Sequence, residues 1–440
     1  MNHTILTVDL GFGDAGKGSV VDALARCTEA HTVVRFNGGA QAAHRVVTPD
    51  AEHVFSQFGS GTLAGAATHL SRFMLLDPPA LLAEAAHLHS IGTSDALRRM
   101  TIDANALLVT PYQRAVNRLR ELARGTGRHG SCGMGIGETA QDALASGDHV
   151  LRAGDMLHPA QFRARLRFLR DHNQAKLEPL RHLLPDTSQV HEELSAFDDD
   201  VETWFTECCV EIAQTAQIVA PDHLHRLLER PGCVIFEAAQ GALLDEWRGF
   251  YPYTTWSTTT LQNAEALLHE ASYSGTVTRL GITRAYATRH GAGPLPSEDA
   301  ALTAALPDAR NGTGLWQGSF RVGWLDLVLL RYARRIAGTL DGLAVTCLDR
   351  VAALPQLKIC SHYHDGLNEI TQLPLSPMPH DLMYQEQTTA QLAHVRPHLK
   401  PLANTGALFD TLTHALGLPV LLRSYGPMAA EKDVEQSMLQ

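Results

Sequence analysis

Ile5-Leu6-Thr7-Val8-Asp9-Leu10-Gly11-Phe12-Gly13-Asp14-Ala15-Gly16-Lys17-Gly18-Ser19 changes character twice over a short distance. The apolar run 5–10 reads as a buried strand. Residues 11–18 read as a glycine-rich turn, and 19–25 as the first turns of a helix. A second strand candidate, 31–36, runs into Asn37-Gly38-Gly39. Strand, turn, helix, strand predicts an α/β fold with a large, mainly parallel central sheet flanked by helices.

The rest of the chain extends this pattern. Segments 79–89, 112–124, 161–184 and 190–220 carry helical spacing, and 232–236, 279–286 and 343–346 read as further strands ending at polar or glycine-containing loops. In open α/β sheets such loops build the ligand site. No repeat, low-complexity tract or linker divides the 440 residues. The expectation is one continuous domain over 1–440, with a helical insertion at about 100–225 and a smaller C-terminal portion at about 330–440.

Composition excludes several classes. Hydrophobic residues make up 45%, enough for a large core and too many for a disordered chain. The net charge of −11 argues against a nucleic-acid polymer as partner, since such binding neutralises phosphates. No apolar stretch approaches the ~20 residues that span a bilayer, so no membrane partner is expected. The N-terminus lacks the basic and apolar regions of a signal peptide. The seven cysteines are scattered and form no CxxC pair, which predicts reduced thiols rather than disulfides or zinc. These features predict a cytoplasmic protein.

The turn at Gly13–Gly18 suits phosphate binding. Glycines let backbone amides approach phosphate oxygens, the following helix favours an anion, and Lys17 adds positive charge. The spacing departs from the standard phosphate loop, and a tight turn with a solvated lysine is the plainer reading. Asp14 is unusual there. A carboxylate is repelled by phosphates unless a divalent metal bridges them or it takes a proton during reaction; otherwise it is a helix cap. His44 follows a second glycine turn. It is a candidate acid–base residue, against the plainer reading of one structural histidine among 23.

Eight blocks together resemble the adenylosuccinate synthetase family: GDAGKG at 13–18, VRFNGGAQAAH at 34–44, GSCGMGIG at 130–137, FEAAQGALLD at 236–245 with YPYTT at 251–255, AYATRHGAGP at 285–294 with Glu298, GWLD at 323–326, TCLD at 346–349 and SYGP at 424–427. The resemblance covers almost the whole chain and implies a phosphate-loop-related fold. It implies a ligase that forms a C–N bond at C6 of a 6-oxopurine nucleoside monophosphate. GTP, or ATP, phosphorylates O6, and the amine of aspartate displaces the phosphate.

Roles follow from the same resemblance. Asp14 matches the general base at N1 and a Mg2+ ligand, with the Ala43 carbonyl as a second ligand. His44 matches the general acid, and Lys17 with Gly13, Gly16 and Gly18 would hold the triphosphate. Asp349 matches the carboxylate that reads guanine, with Ser424, Gly426 and Pro427 as the base-pocket wall. Asn37, Ser131, Cys132, Gln240 and Thr255 fall at purine-monophosphate positions, and Thr313, Gln317 and Arg321 in the amine-donor loop. Phe236-Glu237 and the GWLD block read as core packing. The resemblance also implies a homodimer.

The departures fall at recognition positions. In 312–321 only Arg321 remains where the family carries several arginines that would clamp a dicarboxylate. Cys347 stands where the family has lysine. Residues 143–148 lack the arginine that reaches a partner's substrate phosphate. Two alternatives therefore stay open: a ligase joining aspartate to (d)GMP to give the 2-amino analogue, and a nucleotide-binding homologue without turnover.

Overall fold

The computed structural model describes residues 2–127, 130–308, 311, 316, 318–366 and 368–438. Its centre is a ten-stranded sheet in the order Lys432–Val434, Val420–Ser424, Gly342–Thr346, Thr276–Arg284, Asn2–Asp9, Gly232–Glu237, Thr32–Arg35, Ala67–Leu70, Met100–Asp103, Gln217–Val219. Every neighbouring pair is parallel except the antiparallel edge strand Lys432–Val434. The large, mainly parallel sheet expected from the sequence is present.

The first strand lies at the middle because it is apolar on both faces. Ile5, Leu6 and Val8 are each fully buried, as a parallel strand covered by helices requires. Leu6 pairs with Phe236 on one side, and Asp9 with Ile282 on the other. The chain leaves this strand through helix Lys17–Cys27 toward Thr32–Arg35, whereas Thr276–Arg284 lies on the opposite flank. Loops diverging in this way open a crevice at the carboxyl ends of the strands.

The segment between Met100–Asp103 and Gln217–Val219 is helical and builds a core of its own. Phe162, Leu166 and Leu169 of helix Pro159–Leu177 meet Phe205 and Ile212 of helix Asp199–Thr215 there. Two sequence expectations need correction. The helix expected over 161–184 stops at Leu177, two residues before Pro179, whose ring cannot continue the ladder. The run 190–220 is two helices, Ser188–Leu194 and Asp199–Thr215, broken at extended Asp198 and followed by the edge strand. Both helices bury residues in one core, so their apolar periodicity crosses the break.

The C-terminal part holds a second sheet that the sequence did not disclose. Its central strand, Leu357–Asp365, pairs antiparallel with Asn368–Ile370 and Arg396–Leu402 and parallel with Leu325–Asp326. A bulge between Cys360 and His362 interrupts the alternation, and two prolines disguise 396–402, a strand at the sheet edge. Tyr363 points inward and donates a 2.7 Å hydrogen bond to buried Asp326, which caps helix Leu327–Ala337 by accepting from the Val328 and Leu329 amides. Burial pushes the Asp326 carboxyl up to about 6, against these hydrogen bonds.

Two turns at the top of the sheet are in backbone contact. A side chain at Gly241 would bring its Cβ to 2.2 Å from the Gly11 carbonyl oxygen and 2.5 Å from the Gly13 nitrogen. Neither neighbour can rotate away. Gly241→Ala is therefore expected to destabilise the fold by about 1–3 kcal/mol, read as a lower urea midpoint at unchanged slope. A midpoint equal to wild type would show that the two turns are not locked together.

Candidate active site

Asp9 ends the central strand with its side chain fully buried. Its Oδ1 accepts from the Gly11 amide at 2.7 Å. Its Oδ2 accepts from the Ala15 amide at 2.9 Å and from the Lys17 ammonium at 2.8 Å. Lys17 also donates to the Gly13 carbonyl and is itself buried. The carboxylate thus folds the glycine-rich turn around itself, with Gly13 and Gly16 at φ of 113° and 82°, values that strain any side chain. Lys17 and Gly16 lie behind the turn, and Gly13 and Asp14 lie on its open side.

That open side faces a cavity of about 660 Å³. Of the residues singled out in the sequence, Gly13, Asp14, Ala43, His44, Ser131, Cys132, Gln240 and Thr255 line it together. Asp14 Oδ2 stands 3.5 Å from His290 Nε2, and its backbone carbonyl accepts from Arg284 Nε. Ser131 Oγ accepts from Asn117 Nδ2 at 2.9 Å. Gln240, at a positive φ of 62°, donates to Thr255 Oγ1 at 2.8 Å and keeps a buried Oε1 without a protein partner. Both polar atoms of the Gln41 amide, also on the wall, are likewise unpartnered. Unsatisfied buried polar atoms are costly unless a ligand completes them.

Asn37 takes a different place. It is fully buried, donates to the Ala239 and Thr258 carbonyls and accepts from the Ala239 amide at 2.7 Å. It clamps two strand-end loops together behind the cavity wall. Gly18 lets helix Lys17–Cys27 pack directly on strand His44–Val47, since a Cβ there would lie 2.8 Å from the His44 backbone.

His44 has a partner that the sequence reading assigned to core packing. Its Nδ1 lies 2.6 Å from Glu237 Oε1. Glu237 also accepts from the Ser60 amide at 2.8 Å and from Ser60 Oγ. Buried Arg35 pairs with Glu237 along the sheet. Burial holds the imidazole down at about 4; Glu237 opposes this, while Arg35 and Lys17 add to it. Burial alone would raise Glu237, but His44, Arg35 and Ser60 outweigh it and bring the carboxyl to about 2. The ring is therefore neutral at pH 7, with Nδ1–H held by a carboxylate and Nε2 left toward the cavity. The available signal was position: Glu237 ends a strand within the FEAAQ block.

The base-pocket candidates form a second group. Asp349 is exposed on the short helix Leu348–Ala352, which follows Cys347 at φ 59°. Ser424 is buried, with its Oγ donating to the Gly426 carbonyl at 3.1 Å, and Pro427 is exposed. A Cβ on Gly426 would strike the Glu431 carboxylate at 2.3 Å. Lys432, missed in the sequence, donates to the Gly426 and Met428 carbonyls at 2.8 and 2.9 Å. Burial lowers its ammonium to about 8 against the pull of Glu431, Asp22, Cys347 and Asp349. A cation thus stands beside Cys347. Thr346 joins this group to the glycine-rich turn by donating to the Ala15 carbonyl at 2.8 Å.

In the amine-donor loop, Thr313 and Gln317 lie outside the described residues. Arg321 is held by other groups: its Nε donates to both Glu298 oxygens at 3.0 Å, and its Nη1 to the Gly291 and Gly293 carbonyls at 2.9 Å. Buried Arg289 donates to the Ala292 and Pro294 carbonyls.

A depressed His44 has a consequence for stability. Between its folded value near 4 and its ordinary value near 6.5, the unfolded chain binds a proton that the native chain does not. Stability is then complete above about pH 6.5 and falls as pH drops toward 4. His44→Asn is expected to make that limb of a stability-against-pH curve, measured by urea unfolding, shallower, with the part due to buried His69, held down at about 3, remaining. An unchanged limb would show that the buried ring does not titrate there.

The sequence model of the family described as adenylosuccinate synthetase matches residues 6–431. The adenylosuccinate synthetase of Methylococcus capsulatus is 33% identical over 438 residues, covering 97% of this chain and 96% of that protein. That of Desulfovibrio desulfuricans is 31% identical over 437 residues, covering 97% and 94%. Among solved structures, fully ligated adenylosuccinate synthetase from Plasmodium falciparum matches with a TM-score of 0.77 at 20% identity, over 98% of this chain and 99% of that one. The succinoaminodeoxyadenylate synthetase of cyanophage S-2L, bound to dGMP and dATP, matches with a TM-score of 0.63 at 16% identity, over 100% and 99%. The two structural likenesses speak to the fold.

Proposed function

The chain belongs to the adenylosuccinate synthetase family and is a C–N ligase of that family; from this premise we propose that it joins aspartate to C6 of an IMP-like 6-oxopurine nucleoside monophosphate at the expense of GTP or ATP. One observation carries the reading. Asp14 and His44 line the same cavity, and Glu237 takes the Nδ1 side of His44, which leaves Nε2 for a ligand.

Asp14 takes the N1 proton of the purine, and O6 becomes the nucleophile. O6 attacks the γ-phosphorus, the bond to the β–γ bridging oxygen breaks, and the diphosphate leaves. An anionic phosphoryl group against Nε2 favours a protonated ring. His44 then donates a hydrogen bond to the charge that develops on the transferring group, while Glu237 stabilises the imidazolium. In the second step the aspartate nitrogen bonds to C6, the C6–O6 bond breaks, and the departing inorganic phosphate takes up the proton that the amine loses. Gln240 Oε1 and the Gln41 amide are unmatched groups that a purine nucleotide would complete.

The Asp14 carboxylate and the Ala43 carbonyl are hard oxygen donors of the kind magnesium takes. These groups would hold Mg2+, which would neutralise phosphate charge. Lys17 supports the triphosphate through the shape of the turn, because its ammonium is engaged with Asp9. Asp349 offers a carboxylate to the N1 and N2 donors of guanine, beside the wall formed by Ser424, Gly426 and Pro427. Arg321 reaches a carboxylate of aspartate by exchanging it for Glu298. On the family pattern the working form is a cytoplasmic homodimer.

The decisive assay crosses IMP, dIMP, GMP and dGMP with GTP, ATP and dATP in the presence of aspartate and Mg2+. Phosphate release and product mass are read for each pair. An inosine nucleotide is expected to give a succinylated product. Turnover with guanine nucleotides alone would move the assignment to the 2-amino analogue, and nucleotide binding without any turnover would overturn it. His44→Asn is expected to lower turnover by roughly 10²–10⁴-fold with little change in nucleotide affinity. Asp349→Ala should shift the preference between GTP and ATP and leave the chemistry intact.

A further inference from the structure

The outer face of the second sheet carries a histidine cluster that the ligase chemistry does not use. His362 and His364 are two apart on strand Leu357–Asp365 and so project to one face. His398, on the neighbouring strand Arg396–Leu402, lies directly opposite His362 in register. One ligating nitrogen from each ring can be chosen so that all three lie within 4.8 Å of one another. The Nε2 atoms of His362 and His364 are already 3.2 Å apart. Two nitrogens on a tetrahedral zinc ion, each ~2.0–2.1 Å from the metal, stand about 3.3 Å apart.

The surroundings set the ring orientation. His362 is buried, whereas His364 and His398 are exposed and free to adjust. Nδ1 of His362 lies 3.0 Å from Ser361 Oγ and 3.6 Å from Glu369 Oε1. With Nδ1–H directed at these oxygens, the Nε2 lone pair is turned toward His364, while His398 stacks on the His362 ring with centroids 4.4 Å apart and would turn about its side-chain bonds to bring a nitrogen to the same ion. An outward partner for the second ring nitrogen is the usual arrangement around a ligating histidine. Tyr363, between the two histidines, turns inward to Asp326 and fixes the strand from behind.

We propose that His362, His364 and His398 form a surface site for a zinc-class transition-metal dication, with Glu369 as the outer partner of His362 and a fourth position open to water. Imidazole nitrogen suits zinc, nickel and copper rather than magnesium, which separates this site from the cavity lined by Asp14. Three histidines with one open position also form the donor set of some catalytic zinc centres.

The test uses the full-length protein, stripped with chelator and titrated with Co2+ and then Zn2+. One equivalent of Co2+ per chain is expected, with the visible bands of a four-coordinate ion, displaced by Zn2+ and unaffected by excess Mg2+. The double variant His364→Gln/His398→Gln changes only exposed side chains. It is expected to abolish the stoichiometric site and leave ligase turnover unchanged. Glu369→Gln should weaken Zn2+ binding by roughly 10–100-fold. Absence of stoichiometric binding would reduce the cluster to a hydrogen bond between two rings, and wild-type affinity in the double variant would place the metal elsewhere. Either result overturns the assignment.

Discussion

The buried carboxylate of Asp9 is the constraint on which the site depends. A charge at the end of a central strand, out of reach of water, is tolerated only when it is paired and hydrogen-bonded. Two amides of the following turn and the Lys17 ammonium meet that demand. In doing so they dictate the path of the turn. Gly13 and Asp14 are left facing the cavity, and the positive φ values at Gly13 and Gly16 follow from the same curl. Gly241 then has no room for a side chain, so the loop after Gly232–Glu237 is set against the first turn.

A second buried carboxylate organises the opposite wall. Glu237 and Asp9 end neighbouring strands, yet they serve different partners. Asp9 neutralises a lysine and shapes backbone, whereas Glu237 orients an imidazole and retains its charge beside Arg35. The sheet thus sets Asp14 and His44 on the wall of one cavity, each fixed by a buried carboxylate behind it. The separate grouping of Asp349, Ser424 and Lys432 is tied to the same turn through Thr346 and Ala15.

Much of the fold was legible in the residues. The apolar run 5–10, the glycine turn and the next strand candidate predicted a parallel sheet, and the ordered blocks carried the family resemblance. What escaped notice has physical causes. The second sheet was hidden by a bulge and by prolines that argue against strands. The break at Asp198 was masked by an apolar stripe continuing across it. In the site, Asp14, His44, Gln240 and Thr255 do share one cavity. Glu237 was read as core because a buried acid at a strand end carries no sign of its partner 193 positions away. The Asp9 partner of Lys17 was not legible, because the sequence does not show that the strand end and the turn bring the two side chains within reach. Lys432 was invisible for a similar reason: its neighbours Cys347 and Asp349 are distant in sequence.

The sheet order bears on how the protein is made. The first strand leaves the ribosome well ahead of its two neighbours in the sheet, Gly232–Glu237 and Thr276–Arg284. At ~5–20 residues per second, the first of these neighbours follows about 11–45 s later. Throughout that interval an apolar strand designed for burial on both faces has no native partner. Thr32–Arg35 and Ala67–Leu70 can pair with each other early, whereas the central position must be held open. The long-range pairing of the central strand therefore comes late, and the glycine-rich turn that Gly241 holds in place takes its shape only afterwards.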